Sequence, residues 1–437
     1  MKPEVQKRIV QIRRGVAPVG YRKTKAGILP NEWQSVRLDS VLKKTTQKNT
    51  RNEVRNILTN SAVYGIISQT DFFDKQIAND ENTDGYYIVK PGFFVYNPRI
   101  SVTAPCGPFN KYYGKCDGIM SPLYTVYQPI FDSPYFSEYL AQYFLSSYWH
   151  SYMKGVANYG VRSDRMNVTN DDMNRMPIPL PPLEEQRRIA EILTTQDKII
   201  ALKEQRLAEK RRQKTFLAQR LLTGKTRLPG FDGEWKRTTL GAITQKEKEK
   251  NVNFQYSLVL SNSAQHGIVP QSEQFSKEIA NEENIDRYYI VHNGFFVYNP
   301  RISVTAPCGP IHMNETGNTG VMSPLYTVFS IRSVDKVNAL FLKLYLESTS
   351  WHKYMKSVAN YGARHDRMNV SDEDFFLMPI PFPTLKEQQA IAEVLTCADR
   401  EIAALQRDLE LEKRKKKALM QLLLTGVVRV TPGRRSA

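Results

Sequence analysis

The sequence predicts an α+β protein built as a tandem repeat, with two mixed α/β globules and two long helices that form an antiparallel coiled coil. Three observations carry this prediction. The segment GFFVYNPRISVTAPCGP occurs at 92–108 and again at 294–310, and the same offset of 202 residues relates several other phrases. Each copy ends in about forty residues without proline or glycine. The repeat is considered first because a missed duplication would misassign the whole fold.

The composition indicates a globular protein with an anionic partner. The 437 residues include 61 lysines and arginines against 44 acids, a formal net charge of +17. Hydrophobic residues make up 41% of the chain, which excludes wholesale disorder. Four scattered cysteines are too few for a disulfide scaffold or a zinc cluster. We therefore expect a nucleic acid as the partner. No run reaches the roughly 20 apolar residues of a membrane helix, so we expect a cytoplasmic chain with no membrane partner.

Each repeat begins with a globule rich in tyrosine, phenylalanine and β-branched residues. Short runs such as YYIV and GFFVY, separated by Gly, Pro and Asn, are typical of strands joined by turns. The stretch YFSEYLAQYFLSSYWHSYM at 135–153 has the aromatic spacing of helices. We predict globules at 31–182 and 228–384, preceded by a basic segment at 1–30 whose apolar spacing hints at a short helix.

A proline ladder follows each globule, MPIPLPPL at 176–183 and MPIPFPTL at 378–385. Proline fixes φ and lacks an N–H donor, so this segment predicts a stiff, extended linker. The residues after the ladder predict a long helix in each copy, within 183–227 and 385–437. Proline and glutamate stand at the start of the first helix, where they are favoured, and Gly224 stands where it would end.

A narrow apolar stripe runs along both long helices with a seven-residue period. Its members are Leu193, Ile200, Leu207 and Leu221 in the first helix and Leu395, Ile402, Leu409 and Leu423 in the second. Lys214 and Lys416 interrupt the stripe at equivalent places. Such a stripe predicts that the two helices pack as a coiled coil, antiparallel because a globule separates them in the chain. The alternative is an ordinary amphipathic helix lying on its own globule.

These phrases resemble a known family. PLPPLEEQRRIAEIL at 179–193 and PFPTLKEQQAIAEVL at 381–395 are similar to the helix starts of specificity subunits from type I restriction–modification systems. The openings GILPNEW and LPGFDGEW and the closing LLTG of each helix fit the same family. The resemblance covers essentially the whole chain, in the order globule, helix, globule, helix.

The resemblance implies a division of labour with other chains. Each globule would be a target recognition domain that reads one half of a bipartite sequence in double-stranded DNA. The helices would set the spacing and dock two methyltransferase (modification) subunits, which would hold S-adenosylmethionine, so that this prokaryotic chain would be non-catalytic and need no cofactor. Whether restriction or translocase subunits join the complex stays open. A stand-alone bipartite DNA-binding regulator is the alternative.

The repeat itself adds an expectation about the DNA target. Two-fold related domains read two half-sites separated by a gap. The loops expected to read DNA are nearly the same in the two copies, so we expect similar half-sites in inverted orientation, an interrupted near-palindrome. The copies diverge at 109–119 against 311–321, and the symmetry would be broken if those segments touch bases.

Candidate DNA-binding residues are those that could donate to or accept from bases on loops, arginine for guanine and Asn or Gln for adenine. Three repeated phrases supply them: YNPRIS, NYGVRSDRMN and GIISQT with their equivalents. The predicted residues are Tyr96, Asn97, Arg99, Arg162, Arg165 and Gln69 in the first copy, and Tyr298, Asn299, Arg301, Arg364, Arg367 and Gln271 in the second. The alternative is that the tyrosines belong to the core and the polar groups are solvated.

The lysine-rich stretches at 203–214 and 412–417 have three interpretations. They could be solvated flanks of the coiled coil, phosphate contacts, or docking surfaces for acidic patches of a partner. Phosphate contacts would add affinity and salt dependence without specificity.

Enzymatic interpretations fit the residues poorly. Amino-methyltransferases use an Asn/Asp-Pro-Pro-aromatic turn, whereas Asn97-Pro98 is followed by Arg99 and Ile100. A glycine-rich cofactor loop and a Walker loop are also missing from the sequence. The repeat preserves no acid-X-lysine pattern of the kind that a magnesium-dependent nuclease needs. We therefore expect no catalytic residues and no metal site in this chain.

Overall fold

The computed structural model describes residues 3–69, 83–158, 164–274, 282–360 and 366–430. The chain forms two compact units, Met1–Lys203 together with Asp408–Ala437, and Glu204–Arg407. Each unit therefore combines one globule with the first part of one long helix and the last part of the other. This division cuts across the successive segments predicted from the sequence, because packing joins helix halves that are distant along the chain.

The globule of the first unit is built around a four-stranded antiparallel sheet of order β4-β11-β8-β9. Its strands are β1 (Tyr21–Thr24), β2 (Gly27–Pro30), β3 (Gln34–Arg37), β4 (Leu42–Thr45), β5 (Leu58–Ser61), β6 (Gly65–Ser68), β7 (Tyr87–Val89), β8 (Phe94–Tyr96), β9 (Phe109–Lys111), β10 (Gly118–Met120), β11 (Thr125–Pro129) and β12 (Pro177–Leu180). Its helices are α1 (Pro3–Arg13), α2 (Pro134–Phe144), α3 (His150–Val156), α4 (Asn170–Asn174) and the first part of α5 (Leu183–Leu221).

The second unit repeats this arrangement, with a sheet of order β14-β21-β18-β19. Its strands are β13 (Lys236–Thr239), β14 (Thr244–Glu247), β15 (Leu260–Ser263), β16 (Gly267–Pro270), β17 (Tyr289–Val291), β18 (Phe296–Tyr298), β19 (Ile311–Met313), β20 (Gly320–Met322), β21 (Thr327–Ile331) and β22 (Pro379–Phe382). Its helices are α6 (Leu240–Ile243), α7 (Gln271–Gln274), α8 (Ala339–Glu347), α9 (His352–Val358), α10 (Asp372–Phe376) and the first part of α11 (Leu385–Leu423).

The core of the first globule is aromatic. Phe109 stacks on Phe144 with ring centroids 3.9 Å apart, and Phe94 and Trp149 are buried beside them. Full burial of such a side chain stabilises the fold by roughly 1.5–3 kcal/mol. The aromatic stretch predicted as helical divides into α2 and α3, because the Trp149 ring turns into the core and its Nε1–H donates to the Phe144 carbonyl, 3.0 Å away.

The proline ladder differs from the expected linker. The segment Pro177–Leu180 is a strand paired antiparallel with Gln34–Arg37, and the equivalent Pro379–Phe382 pairs with Lys236–Thr239. Pro177 and Pro179 lack an N–H group, whereas Ile178 and Leu180 between and after them keep theirs. A strand in which only every second residue can donate is tolerated at the edge of a sheet. The ladder therefore closes the globule instead of leaving it.

The predicted coiled coil is confirmed in each unit, where the two helices run antiparallel. Lys416 Nζ lies 2.5 Å from Asp197 Oδ1 in the first unit, and the equivalent Lys214 Nζ lies 2.6 Å from Asp399 Oδ1 in the second. The lysines that interrupt the stripe thus meet carboxylates of the other helix. The stripe residues are buried or half-buried. The first turns of α5 also pack into the core of the globule, as Leu193 does. For these turns the alternative, an amphipathic helix lying on its own globule, is therefore correct as well.

A buried ion pair ties each globule to the start of its long helix. In the first unit Glu185 accepts hydrogen bonds from Trp33 Nε1 at 2.9 Å and from Arg429 Nε at 2.8 Å. The second unit repeats this set with Glu387, Trp235 and Arg227. The Glu-Gln and Glu-Trp phrases of the sequence therefore have a structural role, because each buried carboxylate is paired and hydrogen-bonded.

The N-terminal segment forms the short helix α1, whose Arg8 donates to the Val427 carbonyl at 2.6 Å. None of the helices in the described part of the chain combines the length and apolarity needed to cross a bilayer.

Candidate nucleic-acid interface

The two arginine-bearing phrases form a single structure. In the first unit the Ile100 N–H donates to the Asp164 carbonyl at 3.0 Å, and the Met166 N–H donates to the Pro98 carbonyl at 2.9 Å. These bonds pair Arg99 with Arg165 across a short antiparallel bridge. The second unit repeats the bridge between Arg301 and Arg367. Two candidate phrases that are separate in the sequence therefore meet in the structure. We call the loop at 97–107, and the equivalent loop at 299–309, the arginine loop.

The side chains of Arg99 and Arg301 are available for a ligand. They are 70% and 66% exposed, and their Nε atoms lie 3.9 and 3.8 Å from the carboxylates of Asp164 and Asp366. Solvent-exposed ion pairs of this length contribute about 0–1 kcal/mol. Turning either guanidinium toward a phosphate or a guanine therefore costs little. Arg165 is half-buried, and Arg367 is 36% exposed.

Tyr96 and Tyr298 belong to the core. Each is 4% exposed, and each hydroxyl donates to the carbonyl of a buried cysteine, Cys106 at 3.0 Å or Cys308 at 3.1 Å. Burial raises the pKa of both phenols. The prediction that these rings contact DNA is wrong, because both side chains are packed in the core on the inner face of β8 and β18.

Asn97 and Asn299 shape the arginine loop. The Asn97 Nδ2 donates to the Asn60 carbonyl at 3.2 Å, and its Oδ1 accepts the Arg99 N–H at 3.0 Å. Asn299 makes the equivalent bonds with Asn262 and Arg301. Both amides thus position the arginine that follows, and a direct contact with a base stays a prediction.

A buried asparagine that sequence reasoning missed holds the loops together. Asn60, 3% exposed, donates through Nδ2 to the carbonyls of Val95 and Pro108 at 2.8 and 3.2 Å. Asn262 repeats both bonds in the second unit. The phrase Asn-Ser-Ala, present at 60–62 and at 262–264, is the repeat signal that could have identified it.

The copies differ at the remaining partner of this asparagine. The Asn60 Oδ1 accepts from Asn110 Nδ2 at 2.7 Å, whereas the Asn262 Oδ1 lies 2.6 Å from His312 Nδ1. The carbonyl partners of Asn262 place its oxygen toward the ring, so Nδ1 must carry the proton.

His312 lines a cavity of about 460 Å³ with His266, Glu315 and Glu347. Burial, with Lys343 nearby, lowers the pKa of His312, and burial raises the pKa of Glu347 to about 6.

The predicted glutamines, Gln69 and Gln271, directly follow β6 and β16. They lie at the open end of the β5–β6 and β15–β16 hairpins, which also carry Asn60 and Asn262. The Gln69 N–H donates to the Ile57 carbonyl at 2.8 Å, and the Gln271 N–H donates to the Val259 carbonyl at 2.9 Å. Both side chains are half-buried, and their contact with DNA stays a prediction. Arg162 and Arg364 lie outside the described residues.

The arginine loop of the first unit opens onto the lysine-rich end of α11. A cleft of about 560 Å³ is lined by Thr103 and Gly107 of the loop and by Lys413, Lys416 and Lys417 of the helix. The three lysines of the helix wall are groups of the kind that bind a phosphate backbone. The ion pair of Lys416 with Asp197 also supports the interpretation of some of these lysines as coiled-coil flanks. In the described ranges no group of three His, Cys, Asp or Glu could hold a metal ion.

The fold and the doubled arginine loop define a class of protein with two nucleic-acid-reading domains on a shared pair of helices. The family model of the type I restriction modification DNA specificity domain matches twice, at residues 30–210 and 234–413. The chain therefore belongs to the family of type I restriction–modification specificity subunits.

Two relatives agree with this family, and a solved structure supports the fold. A protein of Methanocaldococcus jannaschii described as the specificity subunit of the type I restriction enzyme MjaX is 26% identical over 320 residues, 68% of either chain. The MjaVIII specificity subunit of the same organism is 25% identical over 284 residues, 60% of this chain and 65% of its own. A structure from work on the assembly and conformational transition of the type I R-M system covers 92% of this chain and 99% of its own. Its TM-score is 0.56 at 19% identity, which supports the fold.

Proposed function

We propose that this chain is the DNA sequence-specificity subunit of a type I restriction–modification complex and that each globule reads one half of a bipartite target. The observation that carries the proposal is the arginine loop built on Asn60 and repeated on Asn262. It presents an exposed arginine at the same place in two separate domains. Arginine in such a loop can bind guanine in the major groove or a phosphate.

Methylation and cleavage of the DNA would be carried out by partner chains. Two methyltransferase subunits would dock on the helices, bind S-adenosylmethionine and methylate adenine, and a restriction subunit would cleave unmodified DNA where the system has one. This chain would be non-catalytic. Exposed charged residues of α5 and α11, such as Arg211, Arg212 and Glu410, support a docking role, because the apolar stripe is already buried in the helix pairing.

The two half-sites are expected to be similar. The segments 92–108 and 294–310 are identical in sequence, and the structure gives them the same bridges and the same asparagine contacts. Like domains read like half-sites, and two of them related by a two-fold axis read a palindrome with a gap. The difference between Asn110 and His312 supports a near-palindrome rather than a perfect one.

Methylation mapping tests this function. DNA from cells that carry the neighbouring methyltransferase would be mapped with and without this chain, and with the double variant Arg99→Ala/Arg301→Ala. We expect methyladenine in an interrupted near-palindrome when the wild-type chain is present, and a loss of at least about tenfold in methylation for the variant, since a good arginine–guanine pair contributes about 1–3 kcal/mol.

Arg51→Ala is the matched control, because Arg51 is 84% exposed and lies at a similar distance, 3.8 Å, from the Glu53 carboxylate. A motif with unlike halves would retain the specificity role and refute the symmetry. An unchanged methylation pattern without the chain would refute the specificity role and favour a regulator.

A further inference from the structure

Two apolar side chains stand in solvent at equivalent positions of both domains. Val102 and Val304 are each fully exposed, with a relative exposure of 102%, and Leu123 and Leu325 are each 60% exposed. Of the large exposed apolar residues in the described part of the chain, these are the positions that recur in both copies. Isolated apolar residues on a surface are ordinary, so the recurrence and the placement carry the argument.

The loop that carries Val102 is held rigidly. The Ser101 and Ala104 backbones bond each other in both directions at 3.0 and 3.2 Å, and the Ser101 hydroxyl lies 3.1 Å from the Thr103 hydroxyl. At the loop end Gly107 has a φ of +77°, and a Cβ there would lie 2.0 Å from the Asn97 carbonyl oxygen. The valine is therefore presented at a preformed tip and loses little conformational freedom on binding.

The exposed apolar residues share one end of the sheet with the arginines. Tyr96 of β8 pairs with Thr125 of β11, so the loop after β8 and the turn before β11 leave the sheet at the same end. Arg99 and its bridge to Arg165 lie at the base of the Val102 loop. An apolar tip flanked by cations is thus presented in each domain.

We infer that Val102 and Val304 each contact the C5-methyl group of a thymine in their half-site. This inference rests on the proposed function and adds a specificity-determining residue to it. In the major groove the thymine methyl is the apolar group that a base edge displays, and apolar side chains read it by contact. The arginines at the loop base would hold the adjacent guanine or phosphate. Because both loops are alike, the methyl groups stand at symmetric positions of the two half-sites.

Deoxyuridine replacement tests the inference, since it removes the methyl group and leaves pairing intact. The full chain in complex with its modification subunits would be bound to duplexes carrying the mapped target, with each thymine replaced in turn. We expect one position in each half-site where replacement weakens binding about fourfold, and roughly 15-fold when both are replaced, the change expected for losing one buried methyl contact per site.

The double variant Val102→Ala/Val304→Ala completes the cycle. It should bind the thymine duplex as weakly as the wild type binds the uracil duplex, and it should no longer distinguish the two duplexes. Val19→Ala is the matched control, because Val19 is equally exposed at 103%.

Three outcomes would overturn the inference. They are a target with no thymine in its half-sites, a wild-type affinity that is insensitive to every uracil, and a variant that still distinguishes uracil from thymine. In one form of the third outcome the variant binds all duplexes more weakly by one factor, which would indicate a wedge between base steps. If the complex bound no specific sequence at all, the proposed function would have failed instead.

Discussion

The two recognition domains use the same hydrogen-bond position for different chemistry. In the first domain Asn110 donates to the buried Asn60, and in the second His312 occupies the same position on Asn262. The asparagine keeps its bonds to two backbone carbonyls in both. The framework therefore tolerates a change from an amide to a titratable ring in one of the segments where the copies diverge.

The comparison teaches which parts of the duplication are constrained. Several contacts that close each unit are repeated in the other, such as the ion pairs of Glu185 and Glu387 and those of Lys416 and Lys214. The segments around Asn110 and His312 differ in sequence, yet each places a side-chain nitrogen on the Oδ1 of the buried asparagine. This difference leaves the other bonds of the buried asparagine in place in both domains.

The largest effect should come from the buried carboxylates. We expect Glu387→Gln and Glu185→Gln to lower the free energy of unfolding by about 2–4 kcal/mol each, because each removes the buried carboxylate that pairs with a partly buried arginine. The two side chains are 1% and 4% exposed. Urea denaturation, followed by hydrogen exchange to assign each transition to a unit, would measure the change.

Glu32→Gln serves as the control for this prediction. Glu32 pairs with the same Arg429 at 2.6 Å but is 64% exposed, so its loss should cost less than about 1 kcal/mol. Equal losses for Glu32 and Glu185 would refute the role of burial.

A smaller effect should come from the lysines that interrupt the stripe. We expect Lys214→Met and Lys416→Met to change the unfolding free energy by less than about 1 kcal/mol, and by the same amount in both units, since each loses one half-exposed ion pair and gains apolar packing. Circular dichroism during thermal unfolding would compare them.

Lys203→Met has no equivalent variant in the second unit. Lys203 pairs with Asp408 and Glu412 in the first unit, whereas the equivalent residue of the second copy is Leu405. A large difference between the matched variants would show that the two helix ends are not energetically equivalent.

The smallest effect concerns pH. Because burial lowers the pKa of His312, the unfolded chain binds a proton at a pH where the native second domain does not. The second domain should therefore lose stability as the pH falls below about 6.5, the ordinary pKa of histidine. His312→Asn should flatten this part of the curve, measured as unfolding free energy between about pH 8 and about pH 5.5.

The reciprocal Asn110→His variant should introduce the same slope in the first domain. An unchanged slope in His312→Asn would assign the pH dependence to other groups, such as His352, whose pKa burial also lowers.

The sequence allowed the architecture to be predicted closely because its signals are local or repeated. The period of Leu193 and Leu207 predicts the stripe and its interruption at Lys214, whereas the ion pair of Lys214 with Asp399 is a finding of the structure. For the site, the sequence predicts DNA contact for both Arg99 and Tyr96, whereas the structure leaves the arginine exposed and buries the tyrosine in the core. An aromatic residue next to a turn can face either side of a strand, and sequence alone does not say which.

The sequence by itself determined the duplication, the two long helices and the family, because these depend on identity at a constant offset, on helical periodicity and on contiguous phrases. The tertiary structure alone decided that the proline ladder is a strand, that Arg99 pairs with Arg165, and that Asn60 organises the loop carrying Val102. These features depend on hydrogen bonds between residues far apart in the chain, as with Asn60 and Asn97, which are 37 positions from each other. Such partners are selected by which surfaces the folded chain brings together, and that choice is made by burial and packing across the whole unit.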